Sequence, residues 1–279
     1  MIERRLAPSG PYSLALSARV SSDATRTFRD GVLTAILEGE VVRAWQTRDG
    51  TITARAEKDG AIERLRWILA LDDDHSDFLR AVRHDPFLGP SSRALRGLRP
   101  VRVATVAQAL LRAFCGQLIE AKRARRLEQT IIRRTTAPAA ESLHAAPTTH
   151  DLAQLAPAHL RALGLHTRRA AALVRICREL ELERLHEVPT PLVAQRLGRE
   201  RGLGAWSVGV VCLEGLGRYD HGLVGDLGLV KLLRELRGRE VELWETQELL
   251  EPYAEWQGIA SLYMLTGYAR GLLPLRLAA

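Results

Sequence analysis

The hydrophobic period of this chain changes once, near residue 72, and that change restricts its folds more than any other feature. Before it, the segments read as strands. The run PYSLALSARV (11–20) alternates in part, and VVRAWQTRDGTITARAE (41–57) sets Asp49-Gly50 between two alternating stretches, a strong hairpin signal. AIERLRWILALD (61–72) then has the spacing of an amphipathic helix, with Ile62, Leu65, Ile68 and Leu69 on one face. Residues 1–75 are therefore predicted to form a small α+β domain, and residues 76–279 a helical body. The expected fold class is α+β.

Within the body, Ser76 is placed to cap a helix that breaks at Pro86. Residues 103–134 read as two helices joined near Gly116-Gln117, and the Ala/Pro/Thr-rich stretch 135–150 as a loop. Helical spacing resumes at Asp151 and at Thr167, which is positioned as a cap. Thr190-Pro191 opens a further helix as N-cap and first turn, running to about Gly198. A second helix starts at Ala205, so residues 191–215 have a helix–hairpin–helix shape. No period of twenty to fifty residues repeats, which excludes a solenoid.

The formal charge is +7, carried mostly by Arg, and turns the surface toward polyanions such as nucleic acid. Cys115, Cys177 and Cys212 lie too far apart for a disulfide framework or a close-spaced metal cluster, and the His residues form no ligand motif. No apolar run reaches the length of a membrane span, and the basic N-terminus has no apolar segment behind it. A cytoplasmic protein is expected, nucleoid-associated if bacterial, with no membrane partner.

In the hairpin, Val208, Val211, Cys212 and Gly215 fall on one face of the second helix, which is predicted buried. Gly202 and Gly204 allow positive φ and close approach of another molecule. The unpaired amides at that helix start could then hold a phosphate without reading sequence, although a glycine turn between helices often holds nothing. Twenty positions past Trp206, Asp226 follows a Gly-rich loop and precedes an amphipathic helix. It reads either as an N-cap or as a functional carboxylate.

Together these motifs resemble the helix–hairpin–helix/Gly-Pro-Asp superfamily of DNA glycosylases, most like the bacterial inducible 3-methyladenine DNA glycosylases. The resemblance runs over nearly the whole chain. It rests on Gly116-Gln117-Leu118-Ile119, on Leu163-Gly164-Leu165 with Arg169-Ala170, on the hairpin Arg201-Gly202-Leu203-Gly204-Ala205-Trp206-Ser207-Val208, and on Gly225-Asp226-Leu227-Gly228. Arg201 replaces the family's hairpin Pro, Val210 stands where an aromatic pocket residue is usual, and Gln257 where Arg is common.

The resemblance implies a TBP-like N-terminal sheet, an extruded base and a set of roles. Asp226 would be catalytic. Trp206, Val210, Tyr253 and Trp256 would form the base pocket, while Gln117 and Leu118 would form the wedge that fills the vacated stack. Arg201, Gly202, Gly204 and Ala205 would bind phosphate, with Lys122, Arg123, Arg125 and Arg126 near it. No cofactor would be required and no iron–sulfur cluster present; the carbonyls of Gly198, Glu200 and Leu203 could hold a structural Na⁺ or K⁺. Bifunctional relatives carry Lys at the position of Trp206, so the implied reaction is monofunctional hydrolysis in base excision repair. A monomer acting on double-stranded DNA with damaged, alkylated purines is expected. Two alternatives stay open: excision of oxidised or deaminated bases, and a non-catalytic helix–hairpin–helix DNA-binding protein.

Overall fold

The computed structural model describes residues 1–274, so the last residues of the 76–279 segment lie outside it. The N-terminal unit is a five-stranded antiparallel sheet in the order β1-β5-β4-β3-β2, made of Ile2–Leu6 (β1), Arg26–Arg29 (β2), Val32–Leu37 (β3), Glu40–Gln46 (β4) and Ile52–Ala56 (β5). The β4–β5 hairpin turns at Asp49-Gly50. Gly50 takes φ +87°, and the Asp49 carboxylate accepts the Thr47 hydroxyl and the Thr51 amide. Register then pairs Gln46 with Ile52 and Ala44 with Ala54, so Val42, Ala44, Ile52 and Ala54 are all buried. Helix α2 (Asp59–Ile68) contributes Ile62, Leu65 and Ile68 to the same core.

The partial alternation of residues 11–20 does not make a strand. Leu14–Ala18 is a helical turn, α1, because Ser13 accepts the Leu16 amide at 3.3 Å and Leu14, Ser17 and Ala18 bury together at helical spacing.

Among the described residues twelve α-helices follow α2: Ser76–Ala81 (α3), Gly89–Ala94 (α4), Val106–Gly116 (α5), Ala121–Thr135 (α6), Thr149–Ala153 (α7), Pro157–Ala162 (α8), Thr167–Glu179 (α9), Thr190–Gly198 (α10), Ala205–Val210 (α11), Leu227–Arg237 (α12), Thr246–Leu250 (α13) and Gln257–Ala269 (α14). Helix α11 runs on into a π-helical turn, Val211–Gly215. Three expected caps act differently. Ser76 lies inside α3, its amide held by Asp74 at 2.8 Å, and His166 rather than Thr167 caps α9. The buried Thr190 hydroxyl accepts from Arg218 at 3.3 Å instead of capping α10. The 135–150 segment contains a 3₁₀ turn at Ala140–Ser142. It is tied to the N-terminal unit by the His144 amide on the Ala24 carbonyl and by an Arg43–Glu141 ion pair.

Helices α5 and α11 are shared by two hydrophobic cores. Leu110, Phe114, Val208, Val211 and Cys212 join the core that includes α9 and α10. Ala113, Val210 and Leu213 join the second, in which Phe78 and Leu88 pack with α12 and α14. Gly215 lets α5 approach, since a Cβ there would stand 2.7 Å from that of Ala109. On the outer side of α5, Arg112 pairs with Asp23 at 2.8 Å, with Glu128 at 3.0 Å and with Glu214. Burial pulls its pKa down, but the three carboxylates outweigh it and hold the guanidinium well above its ordinary value.

His75 is buried against Tyr219, ring edge to face at 4.7 Å, with no hydrogen-bond partner on either nitrogen. Burial, reinforced by Arg99 and Arg102, lowers its pKa from 6.5 to about 3. Between those values the unfolded chain takes up a proton that the folded chain does not, so stability falls as pH falls, by about 1.4 kcal/mol per pH unit from this group. In urea denaturation at pH 7 and pH 5, the wild type should therefore lose about 2 kcal/mol more than His75→Leu. Equal losses would show that His75 titrates normally.

Candidate functional site

Asp226 closes a Gly-rich loop and caps α12. Its Oδ1 accepts the amides of Gly228 at 2.7 Å and Leu229 at 3.4 Å. Its other oxygen accepts the indole N–H of Trp206 at 2.8 Å. One side chain thus serves both contacts, with one oxygen on the helix start and the other on the hairpin helix. The loop is held in turn by the Gly225 amide, which donates to Thr246 Oγ1 at 2.7 Å while Gly225 takes φ +83°.

Trp206 lies across the end of α5. A Cβ on Gly116 would stand 2.4 Å from the tip of its ring, so only glycine admits the indole there. The next residue, Gln117, donates through Nε2 to the Gly202 carbonyl at 2.7 Å and to Ser207 Oγ at 3.0 Å, lashing the α5–α6 turn to the hairpin. Leu118 then takes φ +53° and is 72% exposed. A leucine held in the left-handed region costs on the order of 1 kcal/mol, and here it gains no burial in return.

In the hairpin only one of the two glycines uses positive φ. Gly202 stands at +97°, whereas Gly204 is extended (φ −96°, ψ 176°) as N-cap of α11. Gly204 instead leaves open space, since nothing lies within 4 Å of where its Cβ would be. Arg201, Gly202, Gly204 and Ala205 are all exposed, and Leu203 is the buried anchor of the turn. Of the carbonyls expected to offer a cation site (Gly198, Glu200, Leu203), that of Glu200 already accepts the Leu203 amide at 3.1 Å, leaving one lone pair. The Glu200 carboxylate is taken by Arg175 at 2.7 Å.

These parts meet in an open cleft of about 1760 Å³, lined also by the N-terminal unit from Leu16 to Arg26. Gln117, Leu118, Gly202, Leu203, Gly204, Ala205, Trp206, Val210 and Asp226 line it. Small-molecule pockets usually span roughly 300–1,000 Å³, so this cleft has room for more than a single base. Tyr253 and Trp256, expected in the base pocket, are elsewhere. The chain kinks at Ala254 (φ +42°), and both aromatics turn toward the second core, Tyr253 with its hydroxyl 3.2 Å from Asp85 and Trp256 against Phe78. The lining instead includes the aliphatic Val210, Leu213, Leu223, Leu262 and Leu265, together with the charged Asp23, Arg26, Arg112 and Glu128. Lys231, Leu243, Trp244 and Tyr268 also line the cleft and were missed in the sequence. An apolar Leu-Trp pair flanked by two acidic residues, in Glu242-Leu243-Trp244-Glu245, is the available signal.

Lys122, Arg123, Arg125 and Arg126 are exposed on the first turns of α6, and Arg125 lines the cleft. Among the described residues no three His, Cys, Asp or Glu side chains are grouped to hold a metal, and no helix is long and apolar enough to cross a membrane. The three Cys are buried, and burial pushes the thiols of Cys177 and Cys212 up to about 12.

A carboxylate on a helix start, an exposed strained leucine and a glycine hairpin thus line one cleft. Residues 111–254 match the family described as HhH-GPD superfamily base excision DNA repair protein, and the chain belongs to that superfamily. A DNA-3-methyladenine glycosylase of Bacillus subtilis (strain 168) is 24% identical over 204 residues, 70% of this chain and 67% of that protein. In fold, a 3-methyladenine DNA glycosylase from Archaeoglobus fulgidus superposes with TM-score 0.83 at 19% identity, over 96% of this chain and 98% of that one. An 8-oxoguanine glycosylase/lyase of Clostridium acetobutylicum, in complex with double-stranded DNA, superposes with TM-score 0.78 at 18% identity, over 93% and 92%.

Proposed function

We propose that this HhH-GPD DNA glycosylase is a monofunctional hydrolase that extrudes alkylated purines from double-stranded DNA and excises them, acting as a monomer. The observation that carries the reading is the Trp206–Asp226 hydrogen bond. It places a fixed carboxylate at the cleft and an indole, not an amine, on the hairpin helix. The hairpin amides and the open face of Gly204 receive a backbone phosphate, and Leu118 enters the stack that the extruded nucleotide leaves.

With the base in the cleft, the bond between C1′ and the purine nitrogen breaks and its electron pair leaves with the base. An N-alkylated purine is already cationic and departs neutral, so no strong general acid is required. The positive charge that grows on the sugar is stabilised by the Asp226 carboxylate. Water then bonds to C1′ and gives up a proton, leaving free base and an abasic site. The name of the B. subtilis relative supports the alkylated substrate. The named substrate of the C. acetobutylicum neighbour, with the aliphatic Val210 in the wall, supports the second reading, excision of oxidised or deaminated bases.

The test is base release from duplexes carrying 3-methyladenine, 7-methylguanine, hypoxanthine or 8-oxoguanine. Free methylated base is expected, with the strand intact until alkali is added. Strand cleavage without alkali, together with borohydride trapping of a covalent complex, would point to an amine such as Lys231 and overturn the monofunctional reading. Release of 8-oxoguanine alone would favour the second.

A further inference from the structure

Among the exposed large apolar side chains of the described residues, Val20, Leu118, Leu227, Leu243 and Trp244 all line the one cleft, leaving Met1 and Leu192 elsewhere. Such a concentration at one opening marks a contact surface. Trp244 is the largest of them and stands 63% exposed.

Its mount is rigid. The turn Leu243–Glu245 is held by the Glu245 carboxylate, which pairs with Arg237 and Arg239 and accepts the Glu242 amide at 2.7 Å. Thr246 Oγ1 donates to the Leu243 carbonyl at 2.7 Å and accepts the Gly225 amide at 2.7 Å. Leu243 lies against Gly225, its Cβ 3.8 Å from where a Cβ there would be. The Trp244 turn is therefore bolted to the loop that ends in Asp226.

Beside Asp226, Leu265 packs on Gly228, and Val210 and Leu223 also line the cleft, so the aliphatic part of the lining gives a flat base no stacking face. Trp206 has its ring tip closed by Gly116 and its N–H committed to the carboxylate. Tyr268 has its hydroxyl bound to Glu235. We propose that Trp244 is the second stacking surface for the extruded base, covering it from the mouth of the cleft and favouring electron-poor, cationic N-alkylated purines. The inference rests on the glycosylase reading above. An indole face offers both stacking and cation–π attraction, which the aliphatic Val210, Leu223 and Leu265 of the lining do not.

The experiment compares wild type, Trp244→Phe and Trp244→Ala by single-turnover release of 7-methylguanine and of hypoxanthine. Binding to a duplex carrying a tetrahydrofuran abasic analogue, which has no base to stack on, is measured in parallel. Stacking losses on this scale are about ten- to hundredfold. Trp244→Ala should lose that much for 7-methylguanine and less for neutral hypoxanthine, with abasic-duplex affinity unchanged and Phe restoring most of the rate. An equal loss for the abasic duplex would assign Trp244 to the DNA backbone, and an equal loss for both bases would remove its selectivity; either overturns the proposal. If wild type releases bases and the Ala variant does so equally fast, Trp244 falls alone. If wild type releases none, base extrusion falls and takes Trp244 with it.

Discussion

Asp226→Asn should lower single-turnover base release about a hundred- to a thousandfold, the usual scale for losing one preorganised electrostatic partner of the transition state. The substitution keeps the shape of the side chain and removes its charge. Asn is as good an N-cap as Asp, so α12 should remain in place through the Gly228 amide. The second oxygen is the sensitive one. If Oδ1 keeps the cap, the new amide N–H₂ faces the Trp206 indole N–H, donor against donor, where a 2.8 Å hydrogen bond stood. A buried partner lost in this way costs about 1–3 kcal/mol, and this half-buried one should fall toward the lower end. The variant should therefore melt several degrees lower, yet fold and bind DNA. Release at the wild-type rate would remove Asp226 from the chemistry. A loss of DNA binding as large as the loss of rate would make it a structural cap only.

Gly116→Ala is the second large effect, and it is counterintuitive, because Ala is the better helix former by about 1 kcal/mol. Gly116 ends α5 without positive φ, so the backbone accepts Ala. The obstacle is the indole, whose tip would lie 2.4 Å from the new Cβ. A ring has no flexible end to move aside, so Trp206 must tilt as a whole and draw its N–H away from Asp226. Misplacement by about 1 Å commonly costs about a hundredfold in rate. Activity should fall ten- to hundredfold while the melting temperature changes little, since helix propensity and steric strain oppose each other. Activity within twofold of wild type would mean that Trp206 tolerates displacement and does not position the carboxylate.

Gly116 also shows how much of the site was legible. As a glycine near the end of a helical pattern it marked the break between α5 and α6 correctly. Its packing role was invisible, because the ring it admits comes from ninety positions downstream. Tyr253 and Trp256 failed for a related reason. A kink at Ala254 sets which way they face, and an aromatic pattern cannot say whether a side chain looks into a core or into a cleft. Residues 11–20 were misread because a partly alternating run of six or seven residues satisfies both periods, and the Ser13 cap decided between them.

Features whose physical cause lies within a few residues were determined locally. They include the change of hydrophobic period, the Asp49-Gly50 turn, the positive φ of Gly202 and the cap at Asp226, each a matter of backbone sterics or a near-neighbour hydrogen bond. The meeting of Trp206 with the second oxygen of Asp226, the tether from Gln117 to the hairpin, the exposure of Leu118 and the place of Trp244 at the lip depended on how two cores pack around α5 and α11. Hydrophobic burial is non-directional, so an apolar pattern states that a face is covered without naming what covers it. Only the packed molecule selects those partners, and with them the cleft.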